Sequence, residues 1–535
     1  MLRISQVKTR DTDRRSIEHA LMKKLGLKNG DLKHWKIYRR SVDARHHDVT
    51  FSWIIDADIR GENRYLTRKD VRQTPQAPAP FVPKGVIPLT VPPVVAGFGP
   101  AGMFAALDLA EHGYRPIVLE RGRKIEDRRK DADHFWKTGE LDPESNVQFG
   151  EGGAGAFSDG KLTTRSRDPL VDEMLEKLHA HGADADILVD AYPHIGTDAF
   201  ESIIRSIRNR ILELGGQIRF ESRLEQVKIE DDRLQAIEVN GQWEPCQALI
   251  LALGHSASDT LRRLHDNGVA MESKPFQVGV RIEHPQTFIN EAMLHDFSQD
   301  PRLIPARYTL TAMSDNGKGI YTFCMCPGGY VIASSAQPGQ LVVNGMSYAD
   351  RAGKNANSAL LVQVNEEDYG PALFAGLEYQ EAIERKAFEL SRDYRAPVQK
   401  AADYLTGTVS NTLSTAPTYE PGTIMADLNG LFSDKVNHAL HQGLEDFERK
   451  VPGFLEGTMT GVETRASSAL RIPRDRDTRM ADDGIYPAGE GSGYAGGIMT
   501  SAIDGIKSAR ALMDRYAPAA QIQAGSGPFL TDSDN

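Results

Sequence analysis

At 535 residues the chain exceeds what one hydrophobic core organises, and at about 100–200 residues per domain it implies three or four lobes. A hydrophobic content of 40% with 26% charged residues describes a soluble globular protein, and a net charge of -11 argues against wholesale binding to nucleic acid or anionic membrane. Cys246, Cys324 and Cys326 are too few for a disulfide framework, which fits a reducing, cytoplasmic location.

The opening residues MLRISQVKTRDTDRR contain no apolar signal region, so no export signal is expected. Residues 1–73 read as a small α/β domain, with a strand at Leu2–Val7, a helix at Ser16–Leu25 and strands at Trp35–Arg40 and Val49–Ile54. Residues 1–70 hold 17 Lys/Arg against 10 Asp/Glu, so this lobe is basic. A solvated face accounts for that charge more simply than an RNA handle, though RNA remains the alternative partner.

Seven prolines between Thr74 and Pro93 exclude a helix or central strand, and residues 74–90 read as a stiff extended linker. The uncharged stretch Gly85–Leu107 is long enough to span a bilayer, but its prolines and glycines break a spanning helix; no membrane partner is expected.

Next come a strand at Val94–Ala96, a glycine turn, a helix at Met103–His112 and a strand at Pro116–Glu120. The turn, Gly97-Phe98-Gly99-Pro100-Ala101-Gly102, is GxGxxG. Gly97 permits the tight turn, Gly99 lets the backbone approach a pyrophosphate, Gly102 lets helix and strand pack, and the helix start offers N–H groups to phosphate. Glu120 ends the next strand, where an acid accepts from ribose hydroxyls and repels a 2′-phosphate; Arg121 beside it is grouped with the same site. This favours FAD or NAD over NADP. An amphipathic helix at Asp198–Gly215, strands at Gln217–Glu221 and Leu224–Glu230, and the apolar strand Ala248–Leu253 complete residues 91–270.

From about Met271 to Gly453 short strands alternate with helices such as Gln380–Ser391, and the dinucleotide style returns at Gly484–Tyr516. The final stretch, residues 517–535, has too little apolar content to pack and is expected to be disordered.

Two further motifs carry a resemblance that favours FAD over NAD. Ile485-Tyr486-Pro487-Ala488-Gly489-Glu490 leads through Gly496-Gly497-Ile498 into a helix, and Ala248–Leu253 ends at Gly254-His255. With GxGxxG and Glu120 in that order, the chain resembles glutathione-reductase-like flavoproteins. That resemblance implies an FAD whose ribityl or pyrophosphate portion meets Glu490, with the Gly497 and Ile498 N–H groups at the flavin edge. Glu490 stands where the usual residue is Asp, and Leu253 where it is Thr. The segments EGGAGAFSDGKLTTR (151–165), PHIGTDAF (193–200), FCMCPGGYV (323–331), VNGMSYADR (343–351), VETRASS (462–468) and PAGEGSGYAGGI (487–498) are similar, more closely, to a bacterial family of uncharacterised FAD-dependent dehydrogenases.

The loop Gly150–Lys161 is too glycine-rich for a strand or helix, and Gly153, Gly155, Ser158, Asp159 and Lys161 are its candidate flavin contacts. Cys324 and Cys326 lie two apart in a predicted strand, hence on one face; this favours core packing, while the Pro327-Gly328-Gly329 turn keeps a reactive role open. His255, His194 and Arg465 are candidates for proton transfer or anion binding, and no catalytic role is assigned. No His, Cys or acid cluster has metal-ligand spacing.

The expected architecture is α/β: a doubly wound, Rossmann-type FAD domain from residues 91–270 and 455–516, interrupted by an α+β substrate or cap domain at 271–454. The expected activity is a FAD-dependent oxidoreductase of the dehydrogenase or reductase type on a small molecule. No second GxGxxG marks a separate nicotinamide domain, so any NAD(P)H would bind transiently. The alternatives are an RNA-acting flavoprotein and a non-catalytic FAD-binding protein.

Overall fold

The computed structural model describes residues 1–44, 48–76, 78–164, 166 and 168–519. The first domain is a four-stranded antiparallel sheet in the order 32–43, 50–59, 2–9, 71–73. Its helix Arg14–Leu25 starts where Asp13 accepts the Arg15 and Ser16 N–H groups at 3.0 Å each, and it stops at left-handed Gly26. Ile17, Leu21 and Leu25 of this helix share one core with Trp53 and Ile55 of the sheet. Some of the domain's basic charge is neutralised across a domain boundary, because Arg40 binds Asp190 at 2.6 Å and Asp186 at 3.0 Å.

The proline-rich segment is less free than expected. Ile87–Pro88 pairs with Tyr516–Ala517, and the Tyr516 carbonyl accepts the Tyr114 hydroxyl at 2.6 Å. The chain therefore stays packed through Ala517, two short strands pinning linker and terminus together; the expected disordered tail lies, from residue 520, outside the described residues.

The dinucleotide half is a five-stranded parallel sheet in the order 485–487, 249–251, 94–96, 117–119, 217–219, so segments far apart in sequence become neighbours. Alternation within these strands splits the core in two. Val95, Val118, Ile250 and Tyr486 face the helices Pro100–Glu111, Thr197–Glu213 and Ile498–Arg515. Val94, Ala96, Leu119, Leu249, Leu251 and Ile485 instead pack on Leu224, Val227, Leu234 and Ile237. These last belong to a three-stranded antiparallel sheet formed by 224–230, 233–239 and 242–245. This corrects the doubly wound expectation: one face carries helices, and an antiparallel sheet with one apolar side covers much of the other.

The insert is built on a largely antiparallel sheet in the order 311–313, 319–333, 355–364, 276–285, 458–463, 396–400, 423–425, with 343–346 also pairing on 319–333. Helices Ala375–Ser391 and Asp434–Lys450 pack against it. Its central strand Phe276–Pro285 is buried along nearly its whole length. Thr458–Glu463 is a full member of this sheet, so the boundary expected at 454 moves beyond Glu463; the strand is short and rich in Thr and Gly, which hides it in the sequence. Among the described residues no helix is long and apolar enough to cross a membrane.

Candidate functional site

The glycine turn behaves as its spacing requires. Gly97 has φ +97°, and a Cβ there would collide with the Ala252 carbonyl; one on Gly102 would collide with the Gly97 carbonyl. At Gly99 a Cβ would meet nothing nearer than the Gly153 Cα at 3.5 Å. The protein itself thus demands the first and third glycines, while the middle one borders open space. Gly99 caps the helix and Pro100 opens it.

Glu120 ties this turn to its surroundings. Its Oε2 accepts the Phe98 N–H at 2.8 Å, and its Oε1 accepts those of Gly122 and Gly150 at 2.9 Å each. A carboxylate has about four acceptor sites, so one stays available for a ligand hydroxyl. Arg121 is already engaged: it forks onto Glu144 (3.0 and 3.1 Å) and Asp259 (3.0 and 3.1 Å), and lies 3.8 Å over the Phe149 ring.

The loop 150–161 is held from beneath by Arg128, whose role the sequence did not signal. Arg128 is fully buried and donates to the carbonyls of Asn146, Val147, Gly150 and Glu151 at 2.6–3.2 Å, and burial pushes its guanidinium down to about 10. Within the loop, Ser158 Oγ donates to the Gly155 carbonyl at 2.9 Å. Asp159 pairs with Arg351 at 2.9 Å and accepts from Ser347, and Lys161 donates to the Met325 carbonyl, so the loop bolts onto the insert.

At the other end of the chain, Asp504 Oδ2 accepts the Gly489 N–H at 2.9 Å while its carboxylate also holds Arg474 and Arg479. This acid sits inside the closing helix, where sequence reading did not look. The neighbouring Glu490 is half-buried at the cavity wall, and its loss of solvation pushes its carboxyl up to about 7 against the opposing pull of the Gly497 N–H and Lys274. Gly497, at φ +84°, caps the helix Ile498–Arg515.

These elements enclose a cavity of about 420 Å³, within the range of small-molecule and cofactor sites. Every residue named from the sequence for the cofactor lines it except Gly102, which acts beneath the surface of the turn. The opposite wall comes from the insert: Phe323, Cys324, Asn344, Glu463 and Arg465. His255 also lines the cavity, and burial, then Arg465, push its imidazole down to about 3, so it is neutral. Arg465 forks onto Glu384 at 2.7 and 2.9 Å, and its buried Nη1 has no partner among the described residues. His194 lies outside the lining, and burial lowers its pKa too.

The strand that carries the two cysteines is not regular, and their surroundings differ. Cys324 adopts φ +44°, and pairing with the neighbouring strand 355–364 slips between Phe323 and Cys326. Cys324 is brought to the cavity wall, while Cys326 is wholly buried.

The residues fit an FAD. Two helix starts, at Gly99 and Gly497, open on one cavity. Added Cβ atoms at Gly254 and Gly497 would meet nothing within 4 Å, leaving bare backbone against open space for a flat ring or phosphate. The unpartnered Arg465 Nη1 is a waiting donor. Among the described residues no group of three or more His, Cys, Asp or Glu could hold a metal.

Residues 275–466 match the family described as FAD-dependent protein, C-terminal domain-like, and residues 1–58 match a domain of unknown function, DUF8436. An uncharacterized protein of Clostridium beijerinckii (strain ATCC 51743 / NCIMB 8052) is 42% identical over 517 residues, covering 95% of this chain and 97% of that protein. Among solved structures, a geranylgeranyl bacteriochlorophyll reductase-like protein (Ta0516) of Thermoplasma acidophilum aligns over 78% of this chain and 76% of its own, at 11% identity and TM-score 0.34. L-proline dehydrogenase from P. horikoshii aligns over 81% and 94%, at 11% identity and TM-score 0.32. Likeness that slight carries no weight for fold or activity. The cofactor is FAD, as the family description and the fit of the cavity agree. The chain belongs to one family with the Clostridium beijerinckii protein, and its insert is that of a FAD-dependent protein.

Proposed function

We propose that the protein is a FAD-dependent oxidoreductase of the dehydrogenase or reductase type, in which an electron donor and an acceptor, both small molecules, visit one cavity in turn. The observation that carries this reading is the two-sided wall. Bare glycine backbone and two helix starts lie on one side, and reactive or charged side chains of the insert lie on the other. Bound there, FAD would supply the two-electron redox chemistry.

The chain's own residues do the rest. The helix starts at Gly99 and Gly497 present N–H groups and positive dipole ends to anionic oxygen atoms, a contribution of about 0.3–2 kcal/mol each. Glu120 keeps one acceptor site for a ribose hydroxyl. Arg465 Nη1 takes an oxygen atom of the cofactor or the substrate. Neutral His255 can accept a hydrogen bond but takes up no proton near neutral pH, while Glu490, with its carboxyl near 7, can hold a proton beside the cavity. A nicotinamide, if it serves as donor, binds in this same cavity and only transiently. The reducing cytoplasm remains the proposed location. RNA has no part in this proposal.

The test is anaerobic photoreduction of the yellow protein followed by stopped-flow mixing with oxygen. Slow reoxidation, with ping-pong kinetics once a substrate pair is found, is expected. Rapid reoxidation with release of hydrogen peroxide would assign the protein to the oxidases instead.

A further inference from the structure

Three loops, 158–162, 193–197 and 347–351, meet at the edge of the cavity. Leu162 donates its N–H to the Pro193 carbonyl at 2.9 Å, Ile195 to the Gly160 carbonyl at 3.1 Å, and Thr197 to the Ser347 carbonyl at 3.2 Å. This lacing gathers three cations around one carboxylate. Asp159, fully buried, pairs with Arg351 at 2.9 Å and with Lys161 at 3.5 Å. Arg307 is stacked 3.3 Å over the Tyr192 ring, close enough to Arg351 and Asp159 to feel both charges, and has no ion pair among the described residues. Stacking occupies the flat face of a guanidinium and leaves its edge donors free. Arg351 is buried and spends Nη2 on Asp159, while its Nε has no partner among the described residues. The buried Nε2 of His194 has none either; burial, then Arg351, lowers the pKa of this imidazole, so it adds no charge. Asp198 and Asp350, the nearest other acids on these loops, accept the Ala349 and Ala352 N–H groups at 2.9 and 3.1 Å and hold no cation among the described residues. Three cations on one carboxylate thus leave positive charge in excess. The buried arginines of the insert show the contrast, since Arg281 is matched by Glu463 and Arg465 by Glu384.

We propose that Lys161, Arg307 and Arg351 form an oxyanion subsite, and that the small molecule oxidised or reduced in the cavity carries a carboxylate or phosphate group seated there. Arg307, Arg351 and His194 lie outside the lining of the cavity that fits FAD, so the phosphates of the cofactor, at the helix starts, do not use them. Lys161 and Asp159 stand on the shared boundary, since both line that cavity. Asp159 is a positioning residue: its charge repels an anion, but it fixes Arg351 and draws Lys161 toward the loops. An oxyanion supplies the acceptors that the Arg307 edge and Arg351 Nε lack, and it cancels the excess charge without breaking the Asp159–Arg351 pair. The substrate therefore lies with its anionic group at the loops and its reacting end in the cavity. That orientation rests on the oxidoreductase reading above; binding of the anion does not.

The test is calorimetric titration of the full-length yellow protein, at constant ionic strength, with sodium phosphate, with succinate and with succinamide, the uncharged analogue of succinate. One of the two anions should bind once per chain, on the order of 10-fold or more tighter than succinamide. The tighter of the two tells a phosphate ester from a carboxylate as the substrate. Arg307→Gln should weaken that anion on the order of 10-fold or more and leave the flavin content unchanged, because Arg307 lies outside the cavity lining. Arg351→Gln should weaken it likewise; if this buried position does not tolerate the change, the half-buried Arg307 carries the test. Equal binding of anion and amide, or an anion affinity that Arg307→Gln leaves unchanged, overturns the subsite and, in a yellow protein, leaves the flavin reading standing. Anion binding that Arg307→Gln abolishes, in a protein whose reduced flavin reoxidises rapidly, supports the subsite and removes the dehydrogenase reading.

Discussion

Glu120 Oε1 accepts the Gly150 N–H at 2.9 Å, which joins the end of the second strand of the parallel sheet to the start of the glycine loop. The same carboxylate takes the Phe98 and Gly122 N–H groups, so one acid sets three backbone segments around the cavity. In Glu120→Gln an amide NH₂ must face one of these donors. We expect FAD affinity, titrated by flavin fluorescence on reconstitution, to fall about 10–100-fold, the equivalent of roughly 1–3 kcal/mol. Unchanged affinity would mean that the network is not tied to the ligand.

Gly99 and Gly97 should respond differently. The nearest atom to an added Cβ at Gly99 is 3.5 Å away, so Gly99→Ala should fold with little change in Tm while binding FAD more weakly, and Gly99→Val should bind none. Gly97→Ala should instead lower Tm, because its Cβ would strike the Ala252 carbonyl and its φ of +97° is strained for alanine. Thermal melts and flavin absorbance on all three variants check the contrast.

Asp504→Asn should destabilise the closing of the site. It removes the charge that pairs with Arg474 at 2.8 Å and with Arg479, leaving two largely buried guanidinium groups uncompensated. A loss of about 3 kcal/mol in urea unfolding is expected. A loss below about 0.5 kcal/mol would show that solvent reaches the pair.

Glu490 gives a pH signature. Its carboxyl is raised from an ordinary 4.5 to about 7, so between those values the folded state binds more protons than the unfolded state. Stability from this group is therefore greatest below about 4.5 and is lost as pH rises through 7, by at most about 3.5 kcal/mol at roughly 1.4 kcal/mol per unit. Glu490→Gln should flatten the fall in Tm across that window. An identical pH profile in the variant would contradict the raised carboxyl.

The parts of this site legible in the sequence are those in which one residue type answers a local backbone demand. Gly97, Gly99 and Gly102 are readable because a turn, an approach and a packing contact each exclude a side chain, whereas Gly497 was reached through the family resemblance and only the structure shows it as a helix cap at φ +84°. Arg128 and Asp504 were not readable, since each serves carbonyls or N–H groups distant from it in the chain. The covering of the parallel sheet was misjudged because the strands 224–230 and 233–239 bury a single apolar side, a pattern silent about what it faces. The exposure of Cys324 was hidden by a bulge, which the strand periodicity assumed away.

The central claim is that this cavity holds one FAD. The most direct measurement is the flavin released on heat denaturation of the freshly purified protein, identified by chromatography and counted against protein. We expect FAD and no FMN, at close to one per chain, with Gly99→Val carrying none. A colourless protein that takes up no FAD on reconstitution, or one that releases FMN, would contradict the account.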